Sequence, residues 1–497
     1  LSYSRNLMRT PDFTGIPNLE YLDLSDCCNL EEVHHSLGCC SKLIWLDLSD
    51  CASLERFPCV NVESLEYLSL EYCSSLEKFP KIHERMKPEI QISMQGSGIR
   101  ELPSSITQYQ THITSLYFIF MRNLVALPSN ICRLKSLVIL SVFGCSKLER
   151  LPEEIGDLDN LEELDARETL ISRPPSTVIC LNKLKILKFR GFRHGVHFEF
   201  PPVAEGLYSL ETLSLKNCNL IDGGLPEDIG SLSSLKVLKL SGNNFEHLPR
   251  SIAQLGALRS LYLSDCKRLT QLPELPPELN ELHVDCHMAL KSIHELVTKR
   301  KKLQRMIFTP LDDEDDAHND TIFNLFAHAL FQNISTSDSL SENVFTILHP
   351  EMKIPSWFLY EGMNSSVSVN LPENWYMPDK FLGFSVCYNG ILIDTTAQLI
   401  PICDDGMSWM TQTLALSNQS ERDTESSGSP KWDTHFFFLP FAGLWDTSKA
   451  NGKTPNDYGL IRLSFSGEMK EYGVRLLYKD EAEVETLREN NNEHSTG

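Results

Sequence analysis

A leucine pattern, Leu-x-x-Leu-x-Leu-x-x-Cys/Asn-x-x-Leu, returns about every 21 to 26 residues from Leu1 to Ile293 and constrains the fold more than any other feature of the chain. One copy runs Leu19, Leu22, Leu24, Cys27, Leu30; others run Leu43, Leu46, Leu48, Cys51, Leu54 and Leu137, Leu140, Val142, Cys145, Leu148. Each copy is one short strand plus a return segment whose apolar side cannot be buried alone, so neighbouring copies must stack. Copies begin at Leu19, Leu43, Leu65, Ile113, Leu137, Leu161, Leu184, Leu210, Leu235, Leu258 and Leu279, with a degenerate one around Ile90 and Ile92, giving about a dozen. The period therefore predicts an α/β leucine-rich-repeat solenoid, a horseshoe, over residues 1–297. Since the chain opens within a strand and without a polar capping repeat, it reads as the back part of a longer polypeptide.

A chain of 497 residues with 41% hydrophobic residues can bury two or three cores. Its net charge of -22 excludes sequence-independent attraction to nucleic acid or anionic lipid for the chain as a whole, which leaves protein as the expected partner. No apolar run approaches the roughly 18 residues of a membrane span. Cys27, Cys51, Cys73, Cys145, Cys218 and Cys266 occupy one slot of the repeat, where a small half-polar side chain serves the inner turn, so they read as free thiols in a reducing compartment. Four sequons, at Asn319, Asn333, Asn364 and Asn418, point the other way but arise easily by chance. The expected location is the cytoplasm, with nuclear import raised by the basic cluster Lys299 to Lys302.

Return segments repeatedly read Leu-Pro-x-x-Ile, as at Leu102, Leu151 and Leu248, where proline suits chain that has left the strand ladder. After Leu290 the spacing of Ile293, Leu296, Val297, Leu303 and Ile307 predicts a helical cap, followed by an acidic linker at 312–316; the two fill residues 298–344. From 345 to 478 the pattern becomes short alternating strands (Ser366–Val369, Phe381–Tyr388, Thr434–Leu439, Leu460–Ser466, Gly473–Tyr478) with aromatic enrichment, which predicts a compact all-β, immunoglobulin-like sandwich. Residues 479–497 read as a disordered tail.

Chemistry is hard to find. Gly452-Lys453-Thr454 resembles the end of a phosphate loop, yet the required earlier glycine is Thr447 and Pro455 follows at once. The His283, Asp285, Cys286, His287 group and the Cys27, Cys28, His34, His35, Cys39, Cys40 group lack metal-ligand geometry once strand alternation is considered. No catalytic residue, cofactor or metal is assigned, and the chain is not expected to be an enzyme. The informative positions lie between the leucines, where a parallel ladder presents them in register. Early repeats offer Asp23, Trp45, Asp47, Tyr67, Glu71 and Tyr72, and also Glu20, Asp26, Asp50 and Glu66. Later ones offer Lys188, Arg190, Lys216, Lys239, Arg259 and Tyr262, and also Lys185 and Lys236, so charge changes sign along the arc and two binding regions are expected. Trp409 and Trp445 are candidates on exposed sandwich loops, whereas Trp357 and Trp375 have strand-like neighbours and read as core.

With these motifs in hand, the chain resembles the carboxy-terminal half of plant intracellular immune receptors of the Toll/interleukin-1-receptor, nucleotide-binding, leucine-rich-repeat family. The resemblance rests on Arg9-Thr10-Pro11-Asp12-Phe13, on Leu102-Pro103-Ser104-Ser105-Ile106, and on Ile354-Pro355-Ser356-Trp357-Phe358, Leu371-Pro372 and Phe381 to Cys387 beyond the repeats. It implies that repeats and jelly roll recognise a pathogen effector protein, and that the repeats restrain an upstream nucleotide-binding switch module. It further implies that activation forms a receptor oligomer, and that an amino-terminal domain outside this chain signals by cleaving NAD. Two other classes stay open: a substrate adaptor of a ubiquitin ligase, suggested by the single cysteine-type ending Cys218 to Leu225, and a secreted enzyme inhibitor.

Overall fold

The computed structural model describes residues 1–58, 64–79, 90–102, 113–191, 196–285, 288–289, 291–292, 303–309, 345–350, 354, 358, 360–362, 366–390, 395–402, 409–414, 433–465 and 469–479. The basic cluster at 299–302, the acidic run, Trp357 and the tail beyond 479 lie outside the described residues. The chain divides into two compact units, Leu1–Leu258 with Cys266–Leu269 and Pro273–Pro276, and Arg259–Asp265 with Thr270–Leu272 and Pro277–Gly497.

The first unit is a ladder of short parallel strands. β1 (Tyr21–Asp23), β2 (Trp45–Asp47), β3 (Tyr67–Ser69) and β4 (Gln91–Ser93) form one sheet. A second run comprises β5 (Ser115–Tyr117), β6 (Ile139–Ser141), β7 (Glu163–Thr169), β8 (Ile186–Gly191), β9 (Thr212–Lys216) and β10 (Val237–Lys239). Leu22, Leu46 and Leu68 stand in register and are buried, as are Leu140, Leu164, Leu187 and Leu213, while the residue on either side of each points the other way. Fully burying one such leucine contributes about 1.5–3 kcal/mol, and the repeat multiplies that term. Proline introduces several of the returns: Pro128, Pro175 and Pro249 each precede a 3₁₀ turn, at Ser129–Arg133, Ser176–Cys180 and Arg250–Gln254.

Two further ladders run beside the leucines. Cys51, Cys73 and Cys145 each donate a thiol hydrogen to a carbonyl of the preceding repeat, at 3.2 Å to Leu24, 3.1 Å to Leu48 and 2.8 Å to Phe118. In the same slot fully buried Asn243 donates to the Leu215 and Leu240 carbonyls at 2.9 and 2.7 Å and accepts from the Leu220 amide at 2.9 Å. The residue before that slot takes a left-handed backbone in repeat after repeat, as at Asp26, Asp50, Tyr72, Phe120, Asn217 and Asp265. Glycine holds it at Gly144, where φ is +76° and a Cβ would meet the Phe120 ring at 2.4 Å.

Twelve described cysteines are free thiols. Burial pushes the Cys51, Cys145 and Cys218 thiols up to about 12, so the nucleophilic thiolate is scarce there at neutral pH. Iodoacetamide is expected to label the exposed Cys39 and Cys180 of the native chain and to spare Cys51, Cys145 and Cys218 until it unfolds. Peptide mass mapping checks this, and native labelling at Cys145 would contradict the ladder.

The second unit begins with its own parallel strands, β11 (Ser260–Tyr262), β12 (Glu281–Asp285), β13 (Arg305–Thr309) and β14 (Phe345–Pro350). β13 corrects the expected helical cap: buried Met306 and Phe308 alternate with half-buried Arg305 and Ile307, and the strand pairs with β12 along its length. Leu303 and Ile307 are four residues apart, a spacing that fits period two as well as a helical turn. Between β12 and β13, helix is described at residues 288–289 and 291–292.

From β14 the sheet turns antiparallel, in the order β14, β20 (Asp433–Pro440), β17 (Phe381–Gly390), β22 (Met469–Tyr478), β15 (Tyr360–Gly362). A second antiparallel sheet orders β16 (Ser366–Asn370), β21 (Tyr458–Phe465), β18 (Thr395–Pro401), β19 (Met410–Leu414). Side chains of both sheets fill one core, including Val367, Leu399 and Ile461 from one and Phe384, Phe437 and Leu476 from the other. Trp375 is part of it, as the sequence predicts.

Candidate protein-binding faces of the repeat ladder

Parallel pairing turns single residues into columns. In the first sheet Tyr21, Trp45, Tyr67 and Gln91 are register partners, and the Trp45 and Tyr67 rings stack at 3.7 Å with planes 13° apart. Tyr21 is 64% exposed and Trp45 39%. Sequence reasoning passed over Tyr21, although it holds the same slot as Trp45, two residues after the first leucine of its repeat.

Beside the rings runs a column of carboxylates. Asp23 is aligned with Asp47, and each accepts from the serine two residues on, through the Ser25 and Ser49 amides at 2.9 Å and hydroxyls at 2.7 Å. The Ser25 bonds hold the Asp23 carboxyl below its ordinary range, so it is ionised at neutral pH. Glu71 contacts the Ser93 hydroxyl. Burial, then the charges of Asp26, Glu71 and Asp47, raise Asp50 above its usual value. Tyr72, 43% exposed, lays its ring against Gly96 and accepts from the Gln95 amide at 2.8 Å.

The second run differs. Lys188, half-buried, pairs with Glu163 of the preceding repeat at 2.9 Å; Lys185 pairs with Glu162 at 2.8 Å and Lys236 with Glu211 at 2.9 Å. Arg167 makes a two-pronged bond to Asp165, with its guanidinium 4.9 Å from the Phe143 ring. The expected cationic face is thus corrected to a mixed one, because strand register sets glutamates of one repeat beside lysines of the next. Arg190, Lys216 and Lys239 are half-buried on this run.

Within the second unit Arg259 is exposed, but Tyr262 is only 7% exposed, its ring stacked at 3.8 Å on its register partner His283. It offers little surface, which corrects its reading as a displayed anchor. Trp409 is 48% exposed, with the Arg462 guanidinium 5.8 Å from its ring. Trp445 is corrected as well: the four-residue helix Phe441–Leu444 delivers it to the core, where it stacks on Phe441 at 5.7 Å and meets Tyr458 edge-on at 5.4 Å.

Two clusters bring reactive groups together. Ser36 and Asp12 both approach Nδ1 of His34, at 2.7 and 3.9 Å, and the Ser36 hydroxyl accepts from the Phe13 amide, so one ring nitrogen serves a turn rather than relaying a proton between partners. Asp222, Glu246 and His247 converge, but Asp222 accepts from both neighbouring amides at 2.7 and 3.0 Å and Glu246 is ion-paired with Arg268.

Family models match a C-JID domain over residues 349–483, disease resistance protein RPS4B-like leucine-rich repeats over 61–151, and leucine-rich repeats over 208–267 and 18–40. The chain belongs to the plant Toll/interleukin-1-receptor, nucleotide-binding, leucine-rich-repeat resistance proteins and corresponds to their carboxy-terminal part. It is 73% identical to TMV resistance protein N of Nicotiana glutinosa over the whole chain and 44% of that protein. To disease resistance-like protein DSC1 of Arabidopsis thaliana it is 35% identical over 76% of the chain and 31% of the relative, and to Arabidopsis disease resistance protein RPS4 26% identical over 67% and 26%. The chain thus spans less than half the length of these relatives.

Proposed function

We propose that this chain is the effector-sensing and autoinhibitory part of a cytoplasmic disease-resistance receptor, and that it works by binding protein rather than by catalysis. The observation that carries the reading is the in-register display on the ladder: aromatic rings on β1 to β3 beside aligned carboxylates on β1 and β2, and mixed charge on β7 to β10. Two faces of different chemistry suit two partners. The early acidic face holds the upstream nucleotide-binding switch module at rest. Arg190, Lys216 and Lys239 on the second run, and separately Trp409 on the second unit's antiparallel sheets, which we read as a jelly-roll sandwich, engage the pathogen protein. Release of the switch then permits assembly of a receptor oligomer. Twelve free thiols among the described residues suit a reducing compartment.

Arg190→Ala, Lys216→Ala and Trp409→Ala are expected to abolish co-precipitation of the triggering pathogen protein with the full-length receptor, without moving the melting temperature of the chain. Normal co-precipitation by all three would place recognition elsewhere.

A further inference from the structure

The outward slots of β1 to β4 hold Tyr21, Trp45, Tyr67 and Gln91 in one column and Asp23, Asp47, Ser69 and Ser93 in the next, without a lysine or arginine in either. Glu71 follows β3, while Asp26 and Asp50 sit on the left-handed turns after β1 and β2, where Asp50 feels Asp26, Glu71 and Asp47 together. Exposed aromatic rings usually gain by being covered, and here the Trp45 and Tyr67 rings lie flat on one another beside carboxylates that their own serines only partly satisfy. A lysine would answer the charge. An arginine answers both features, since its planar, weakly hydrated guanidinium stacks on a ring while donating a fork of hydrogen bonds to a carboxylate.

We infer that this column is a docking surface for an arginine-presenting polypeptide segment, with guanidinium groups stacked along Tyr21, Trp45 and Tyr67 and paired with Asp23 and Asp47. The inference rests on the reading of the early face as the contact with the upstream switch module, and it specifies the side-chain chemistry of that contact. Asp26, Asp50 and Glu71 supply the surrounding negative field that steers the segment in, so binding weakens as salt screens it.

The test uses the full chain and two peptides, each with four basic residues separated by glycines, one carrying arginine and the other lysine. Binding is followed by tryptophan fluorescence and calorimetry at two salt concentrations. The arginine peptide is expected to bind about tenfold tighter than the lysine peptide. Trp45→Leu, which keeps an apolar side chain on the ladder, is expected to remove that preference while leaving the lysine peptide within about twofold. Tyr67→Leu gives a second ring variant should the first fail to fold, as judged by its melt. Asp23→Asn with Asp47→Asn, which retains an acceptor for each serine, is expected to weaken both peptides about equally. Equal binding of the two peptides, or an arginine preference that survives Trp45→Leu and Tyr67→Leu, overturns the inference. If the peptide results hold while charge reversal on this face leaves the full-length receptor quiet, the arginine chemistry stands and the switch assignment alone fails.

Discussion

Trp375→Ala is expected to cost about 3 to 5 kcal/mol, a large share of the roughly 5 to 15 kcal/mol that holds an ordinary domain folded. Trp375 is 2% exposed and meets Phe381 edge-on at 4.9 Å, with Phe384 and Phe441 at 5.7 and 5.9 Å. Its indole nitrogen donates to the Tyr458 carbonyl at 2.8 Å on β21, and its own carbonyl accepts from the Tyr478 hydroxyl at 2.7 Å on β22. One residue therefore ties both antiparallel sheets. Alanine empties a cavity among the Phe381, Phe384 and Phe441 rings and takes the indole donor away from the Tyr458 carbonyl. Trp375→Phe refills much of the space and should cost less than half as much. Urea unfolding followed by near-ultraviolet circular dichroism checks both, and an unchanged midpoint for the alanine variant would contradict this account of the core.

Asn243→Leu is expected to be comparably damaging in the first unit. The side chain is fully buried and completes the Leu220 amide and the Leu215 and Leu240 carbonyls. Leucine cannot pair with any of them; the Leu240 carbonyl keeps the Cys266 thiol at 3.5 Å, and each buried group left without a partner costs about 1 to 3 kcal/mol before relaxation. Asn243→Cys should fall between, because a thiol in this slot still donates to one carbonyl of the preceding repeat, as Cys51 does to Leu24. The order asparagine, cysteine, leucine in thermal midpoint is the expected result. Equal midpoints would mean that the slot packs a side chain without serving the turn.

The repeat was legible because its period fixes which side chains face inward. Leu22, Leu46 and Leu68 share one register, and the slot read as a thiol site holds buried thiols at Cys27, Cys51, Cys73, Cys145, Cys218 and Cys266. The strand cores from Phe381, Asp433 and Met469 were legible through alternation. What sequence did not disclose depends on partners distant along the chain. Tyr262 looks like a displayed anchor until His283 is seen stacked on it, and Trp445 looks like a loop residue until the turn of helix at Phe441 swings it onto Tyr458. Lys188 looks unopposed until pairing brings Glu163 to 2.9 Å. Arg305–Thr309 hid as a helix because a four-residue spacing satisfies both periods.

The central claim is that the face of β1 to β3 restrains the receptor through its charge. The most direct measurement is the resting activity of the full-length receptor in plant tissue with Asp23→Lys, Asp47→Lys and Glu71→Lys combined, read as cell death in the absence of any pathogen protein. Like charges forced together across a tight contact cost several kcal/mol, enough to release a switch held by a few. The account predicts spontaneous cell death at normal receptor abundance. A triple variant that accumulates normally and stays as quiet as the parent would contradict it and reduce the carboxylate column to a solvated surface.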